Sequence, residues 1–421
     1  MEYRPRTIDN ELTEALTYAG GVLIEGVRGC GKTRTAREQA ASWVAVDSDD
    51  AGVRIALEQA PALLLEGETP RLIDEWQLAP SLWNSARRRI DDSDSKGLFI
   101  FTGSSTPPQD PNRHSGAHRF TTLRMRPMTL FERGIGDGAV SLAALFTADP
   151  EAAAFEPTLR SPSISDTLDA IAHGGWPADL ATGTAHALKF IQEYLDHVVS
   201  FDLNRVVDDV QRDPDRMRLL LSSLARNLAT EVNYSTIAAD ISRSRDISRN
   251  TVSQYVSAIE RLFVVERQSA WTGKVRSKSA IRTSEKLHFA DPAMACALLG
   301  VDAGGLLKDL NTAGFVFESA VFHHLSVFSQ PLRGRVAHYR DKAGREADMI
   351  ISLPDGRWGV CEVKLGQAAI PNAVESLDRF VANIDTSAIG EPAFKAIITA
   401  NGPCLKLESG HYTFNLQALK P

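Results

Sequence analysis

Gly26, Gly31, Lys32 and Thr33 stand in the order Gly-x-x-x-x-Gly-Lys-Thr inside GVLIEGVRGCGKTRTA. A glycine-rich turn with that spacing points several backbone N–H groups at one spot, just where a helix must begin. That is the chemistry of phosphate: the N–H groups and helix N-terminus take anionic oxygens, Lys32 reaches the β and γ phosphates, and Thr33 ligates magnesium. Gly29 and Arg34 complete the nucleotide-binding set on the loop and the first helical turn. Further along, TPRLIDEWQLAP ends a short apolar run in two acids, Asp74 and Glu75. Asp74 is placed to hold the cation through water, and Glu75 to orient or deprotonate an attacking water, which makes it catalytic.

A second acidic constellation lies in GREADMIISLPDGRWGVCEVKLG. Side chains alternate along a strand, so Glu362 and Lys364 share one face while Cys361, Val363 and Leu365 share the other. Asp348, on the preceding strand, then meets Glu362 across the sheet. Two carboxylates so placed hold a hard cation such as magnesium, which neutralises a scissile phosphate and acidifies a bound water. Lys364 positions that water or balances phosphate charge.

The elements that must position the first set are those of a parallel α/β sheet. A strand spans Val22 to Glu25, a helix starts near Lys32, Arg71 to Ile73 forms a strand, and a helix follows Pro80. GLFIFTGSS is a continuous apolar strand ending in Thr102, Ser104 and Ser105, and in parallel sheets ligands collect at such carboxyl ends. With GVRGCGKT, LIDEWQLAP, FTGSS, HSGAHRFTTLRMRPMTLFE and HGGWP together, the chain resembles the AAA+ ATPases, and more closely the bacterial predicted ATPases followed by a C-terminal domain of unknown function. The resemblance implies ATP with Mg2+, ATP hydrolysis, Ser104 or Thr102 as the sensor after the fourth strand, and Arg119 as a catalytic arginine finger. Here His118-Arg119 replaces the family's usual Gly-Arg. RMRPMTLFERG is expected as the fifth strand and its exit. A finger of this kind works across subunits, so the resemblance also implies a homo-oligomer.

The middle of the chain changes character. Residues 138–165 are rich in Ala, Ser and Pro and are expected as a boundary or flexible insertion, and HGGWPA opens a helical lid. Apolar residues from Leu188 to Leu203 recur every three or four positions, which predicts an amphipathic helix over 187–207. Residues 213–266 read as three helices and a strand, a winged helix with Ser235 as a cap. Its third helix would offer Arg249, Asn250, Ser253 and Gln254 to nucleic acid, DNA rather than RNA. From Arg243 to Lys286 ten Lys or Arg face four acids, a local balance of +6 within a chain of net charge −7. A local basic surface suits phosphate contact, although helix-turn-helix shapes also serve as plain protein contacts.

From Asn311 the predicted order is helix, three strands, helix, strand. This αβββαβ order resembles the restriction-endonuclease-like, or PD-(D/E)XK, fold. The resemblance adds Glu318, on the leading helix, to the metal set of Asp348 and Glu362, and assigns catalysis to Asp348, Glu362 and Lys364. The expected architecture is multidomain α/β: ATPase core 1–137, linker and helical lid 138–212, winged helix 213–285 and nuclease-like domain 286–421. At 421 residues the chain exceeds the ~250 to 300 at which single cores stop growing.

Apolar residues at 43% and charged residues at 24% exclude wholesale disorder. The charged opening MEYRPRTIDNELTEAL and the lack of an apolar run near ~20 residues give no export or membrane signal, so the expected location is the cytoplasm. Cys30, Cys296, Cys361 and Cys404 form no CxxC framework, and His114 with His118 lacks a third metal ligand. Two functions fit this set: an ATP-driven protein that acts on nucleic acid through a magnesium-dependent nuclease-like module, or a nucleotide-gated switch whose nuclease-like domain does not cut.

Overall fold

The computed structural model describes residues 2–106, 115–147, 155–202, 213–272, 284–341 and 344–421. Five strands, β1 (Gly21–Glu25), β2 (Ser42–Ala45), β3 (Arg71–Asp74), β4 (Phe99–Gly103) and β5 (Phe120–Arg124), form a parallel sheet in the order β2-β3-β4-β1-β5. β4 is buried along its whole length, as an interior strand covered on both faces must be. Its register, Ile73 beside Phe101 and Glu25 beside Gly103, brings the carboxyl ends of the strands to one edge. The fifth strand is FTTLR, which begins four residues earlier than expected. RMRPMTLFERG contributes only Arg124 to it and is otherwise its exit, because Pro127 cannot donate to a ladder.

Helices Ile164–His173, Thr184–His197, Pro214–Arg226, Tyr234–Ser242 and Arg249–Arg261 follow. The amphipathic pattern stays α-helical only to His197 and relaxes into a π-turn over Val198–Asp202; residues 203–207 lie outside the described residues. The cap of Tyr234–Ser242 is Asn233, whose side chain accepts from Ser235 N, so Ser235 is the capped residue rather than the cap.

In the stretch expected as a boundary or flexible insertion, the described residues on either side of 148–154 are tied to the C-terminal part of the chain. β6 (Val140–Ser141) pairs in parallel with β15 (Leu419–Lys420), and Thr158 bridges to Cys404. Leu142, Leu145 and Phe146 are buried behind it.

The second sheet has eight strands in the order β13-β14-β12-β11-β10-β9-β7-β8. They are β7 (Val265–Ala270), β8 (Lys286–Phe289), β9 (Arg335–Arg340), β10 (Glu346–Ser352), β11 (Trp358–Lys364), β12 (Phe394–Thr399), β13 (Leu405–Lys406) and β14 (Tyr412–Asn415). Helix Leu310–Ser329 precedes β9 and helix Ile370–Val381 separates β11 from β12, so the αβββαβ order of elements is present. The boundary drawn at 285/286 falls within one hairpin, since β7 pairs antiparallel with β8, and β7 then joins β9. One apolar core runs from Ile8 to Leu419, through the helices, between the two sheets.

Candidate functional site

The phosphate-type loop lies between β1 and helix Lys32–Arg37. Gly26 is required by space: a Cβ there would sit 2.0 Å from the Met125 carbonyl oxygen. Gly31 is required by conformation, with φ 109°. Lys32 is buried, and its Nζ donates to the carbonyls of Gly26 at 2.9 Å and Val27 at 3.0 Å, which lays the ammonium across the loop.

The acids after β3 divide the work. Thr33 Oγ1 donates to Asp74 Oδ1 at 2.8 Å, and buried Thr102 donates to the same oxygen. At Glu75 the chain turns into the left-handed region, φ 55° and ψ 40°, a conformation that costs a non-glycine residue about 1–3 kcal/mol. That turn separates the two carboxylates. Asp74 faces Thr33, while Glu75 Oε2 accepts from Ser104 Oγ at 3.0 Å and from Gln77. The sequence left Thr102 and Ser104 as alternatives; each touches one of the acids.

Arg119 stands at the amino end of β5, where Phe120 is in register with Gly21, at the opposite edge from the loop. Its Nε pairs with Asp91 at 2.7 Å. Arg34 is exposed, pairs with Glu38 at 2.9 Å and lies over the Tyr3 ring at 5.8 Å, beside a cavity of ≈180 Å³ also lined by Gly31 and Pro177. The expected lid touches the loop directly: Trp176 Nε1 donates to Arg28 O at 3.2 Å, and its ring sits against Gly29. The sequence placed HGGWP at the start of the helical lid beside the nucleotide but did not single out Trp176 as the contact. Nor did it single out Arg6, which donates to Cys30 O at 2.8 Å and pairs with buried Glu132 at 3.2 Å.

The second constellation also assembles. Met349 pairs with Cys361 and Ile350 with Val360, so the same antiparallel register sets Asp348 opposite Glu362. Asp348 Oδ2 accepts from Val363 N at 2.8 Å, Lys364 Nζ lies 2.8 Å from Glu362 Oε1, and buried Glu362 Oε2 has no partner among the described residues. Glu318 faces the same cluster but is bonded at 2.6 Å to Lys286 Nζ, a residue of β8 that sequence reasoning did not single out. Burial, then the charge of Asp348, raises the carboxyls of both Glu318 and Glu362 above the ordinary range. Burial alone would lower Lys286, but Glu318 and Asp348 outweigh it and raise its ammonium.

Both donor sets suit a hard divalent cation. At the first, the Thr33 hydroxyl and Asp74 carboxylate already share one point. At the second, an orphaned buried carboxylate oxygen faces a second acid across the ladder, although no three His, Cys, Asp or Glu form a ready cage among the described residues. His114 lies outside them, and His118 sits in a turn with φ 66° rather than on a helix.

Arg249, Asn250 and Gln254 are exposed and Ser253 half-buried on helix Arg249–Arg261, which Ser248 caps through Thr251 N. Much of the basic stretch is spent internally. Arg245 pairs with Asp213 and Asp215, Arg267 with Glu260 and Glu285, and Lys286 with Glu318. Lys274, Arg276, Lys278 and Arg282 lie outside the described residues. The four cysteines are buried and unpaired, and no helix of the described residues is long and apolar enough to cross a membrane.

The AAA domain family matches residues 20–133, a domain of unknown function (DUF8612) matches 164–304, and another (DUF4143) matches 313–419. Among solved structures, the Walker-type ATPase PABY2304 of Pyrococcus abyssi is similar at 13% identity, over 71% of this chain and 99% of that one, with a TM-score of 0.38. No curated protein matches. The N-terminal third is thus a P-loop-like α/β domain on a parallel sheet, similar to the AAA domain family, and the two regions after it are similar to families of unknown function.

Proposed function

We propose that the chain binds and hydrolyses ATP with Mg2+ and acts on nucleic acid, DNA in preference to RNA, through a nuclease-type C-terminal site. The observation that carries the first half is the Thr33–Asp74 bond of 2.8 Å beside a buried Lys32, which gathers an ammonium, a hydroxyl and a carboxylate at one loop. Lys32 and the loop N–H groups would hold the phosphates, Thr33 and Asp74 would hold the cation, and Glu75, steadied by Ser104, would accept a proton from the attacking water. Arg119 is too far around the sheet to serve its own loop, so its finger role belongs to a neighbouring copy in a homo-oligomer.

The nucleic-acid half rests on Glu362 Oε2 and on the αβββαβ order, which is that of the restriction-endonuclease-like fold. Asp348 and Glu362 would hold magnesium, with Glu318 nearby, and Lys364 would face the phosphate. Magnesium, when bound, supplies charge neutralisation and a more acidic water. The three-helix segment with the β7–β8 hairpin is read as a winged helix whose Arg249, Asn250, Ser253 and Gln254 meet DNA.

A second reading, a nucleotide-gated switch that does not cut, draws on the Lys286–Glu318 and Lys364–Glu362 pairs, which give two of the three acids internal cations. Magnesium-dependent nicking of a supercoiled plasmid by wild type, Lys32→Ala and Glu362→Ala decides between them. Nicking lost in Glu362→Ala supports cleavage. ATP turnover with no nicking by wild type supports the switch, and neither ATP binding nor oligonucleotide binding would sink both.

A further inference from the structure

We propose that Lys286 is a positioning residue of the C-terminal site: it holds Glu318 out of the metal shell and confines divalent-cation binding to Asp348 and Glu362. The inference rests on the reading of this cluster as a metal site. Lys286 does not belong to the αβββαβ elements. It arrives on β8, the last strand of the preceding segment, where it is in register with Gln268 of β7. The hairpin is locked onto the cluster at several points. Gln268 Nε2 donates to Asp348 O at 2.9 Å, and His288 joins Gln268 Oε1 at 3.1 Å to Ser319 Oγ at 3.1 Å, the neighbour of Glu318. Gln268 and His288 are buried, and burial pushes the His288 imidazole down to about 3, so it is neutral and serves as a hydrogen-bonding spacer.

In that setting the Lys286–Glu318 pair, 2.6 Å apart with side chains 15% and 14% exposed, is shielded from solvent. A pair of this kind is hard to open, because either partner left alone is an uncompensated buried charge. The acids therefore divide. Glu318 is matched by Lys286, while Glu362 keeps an unpartnered oxygen opposite Asp348. A fixed ammonium within reach of both Glu318 and Asp348 also opposes a second divalent cation, since affinity follows the charge count of the ligands.

Manganese(II) titration of the full chain at pH 8 without nucleotide, read by electron paramagnetic resonance, tests this. Wild type should bind one ion at this cluster, and Glu362→Gln should lose it. Glu318→Gln should still bind one ion but more weakly, because it leaves the Lys286 ammonium unmatched beside Asp348 although no ligand is lost. Lys286→Gln should bind about tenfold more tightly or admit a second ion, Lys286→Arg should behave as wild type, and Lys286→Gln with Glu318→Gln should return to wild-type affinity. A merely structural lysine would not produce that reversal. Loss of the ion in Glu318→Gln that the Lys286→Gln, Glu318→Gln double variant does not restore, or unchanged affinity in a Lys286→Gln protein with native circular dichroism, overturns the inference while leaving the metal site standing. Equal, negligible binding by wild type and Glu362→Gln removes the metal site and the inference together.

Discussion

The two sheets each gather acids where strands end or pair, yet they treat them differently. At the five-stranded sheet, Asp74 and Glu75 are held by neutral hydroxyls and an amide from Thr33, Thr102, Ser104 and Gln77, so their charge is left for a ligand. At the eight-stranded sheet, Glu318 and Glu362 are held by lysines, and burial works against their charge. The first arrangement is poised for an incoming cation and polyphosphate. The second is already half neutralised, which suits one weakly held ion or none.

The widest separation between the sites is expected from single substitutions in the loop and its acid. Glu75→Gln should retain ATP but lose turnover by roughly 100-fold to 10,000-fold, the range for removing a proton acceptor, and Lys32→Ala should lose ATP binding as well. Neither should alter manganese binding at Glu362. A fluorescent nucleotide titration beside a phosphate-release assay checks both. Full turnover by Glu75→Gln would remove its proposed role.

Legibility in the sequence followed how local the physics was. The loop, the acids after β3 and the αβββαβ order were readable because turn geometry and strand alternation act over a few residues. Asp348 opposite Glu362 was readable for the same reason, since a hairpin's register follows its two strands. Lys286 was not, because it reaches Glu318 through the placement of a hairpin from a different segment, and nothing in its neighbours' spacing encodes that. The fifth strand was placed four residues late, at Arg124 instead of Phe120, because FTTLR is short and mixed and carries no clear alternation. The 138–165 stretch lies almost wholly between the matched regions 20–133 and 164–304, but the pairing of its β6 with β15 at the far end of the chain was not legible in local sequence.

Between the two sites lies a buried ion network. Arg126 holds Glu266 through two nitrogens at 2.8 and 3.0 Å, and Arg124 lies 3.8 Å from Glu266 and 4.0 Å from Glu25, the residue before the loop. Burial would raise the Glu266 carboxyl, but Arg126 and Arg124 outweigh it and hold it at about 2. Glu266→Gln leaves Arg126 without its carboxylate and Arg124 with only Glu25 at 4.0 Å, and should cost about 3–5 kcal/mol by chemical denaturation. Loss below about 1 kcal/mol would show that the network does not join the sheets.

The same groups give the two regions opposite pH responses. Glu266 has a depressed folded value, so its contribution, about 3 kcal/mol, is complete above the usual glutamate value of 4.5 and is lost as pH falls toward about 2. Glu318 and Glu362 have raised folded values, so the folded state binds the extra protons and stability falls as pH rises from the ordinary carboxylate range into their raised one. Urea denaturation across pH should show a low-pH loss that disappears in Glu266→Gln and a higher-pH loss that disappears in Glu318→Gln with Glu362→Gln. Magnesium should offset only the second. An unchanged higher-pH slope in the double variant would contradict the crowded-acid description of the C-terminal cluster.

The smallest effect sharpens the comparison most, because it concerns a contact only the first site has. Trp176 arrives from the helical segment, donates to Arg28 O at 3.2 Å and rests its ring on Gly29. Trp176→Phe keeps an aromatic ring there and removes only the donor, a loss of about 1 kcal/mol for one neutral hydrogen bond. Because that bond fixes the loop rather than the reacting atoms, the loss should appear as about fivefold weaker nucleotide binding with turnover at saturation little changed. A drop in saturated turnover without a change in affinity would instead place Trp176 among the groups that act on the reaction itself.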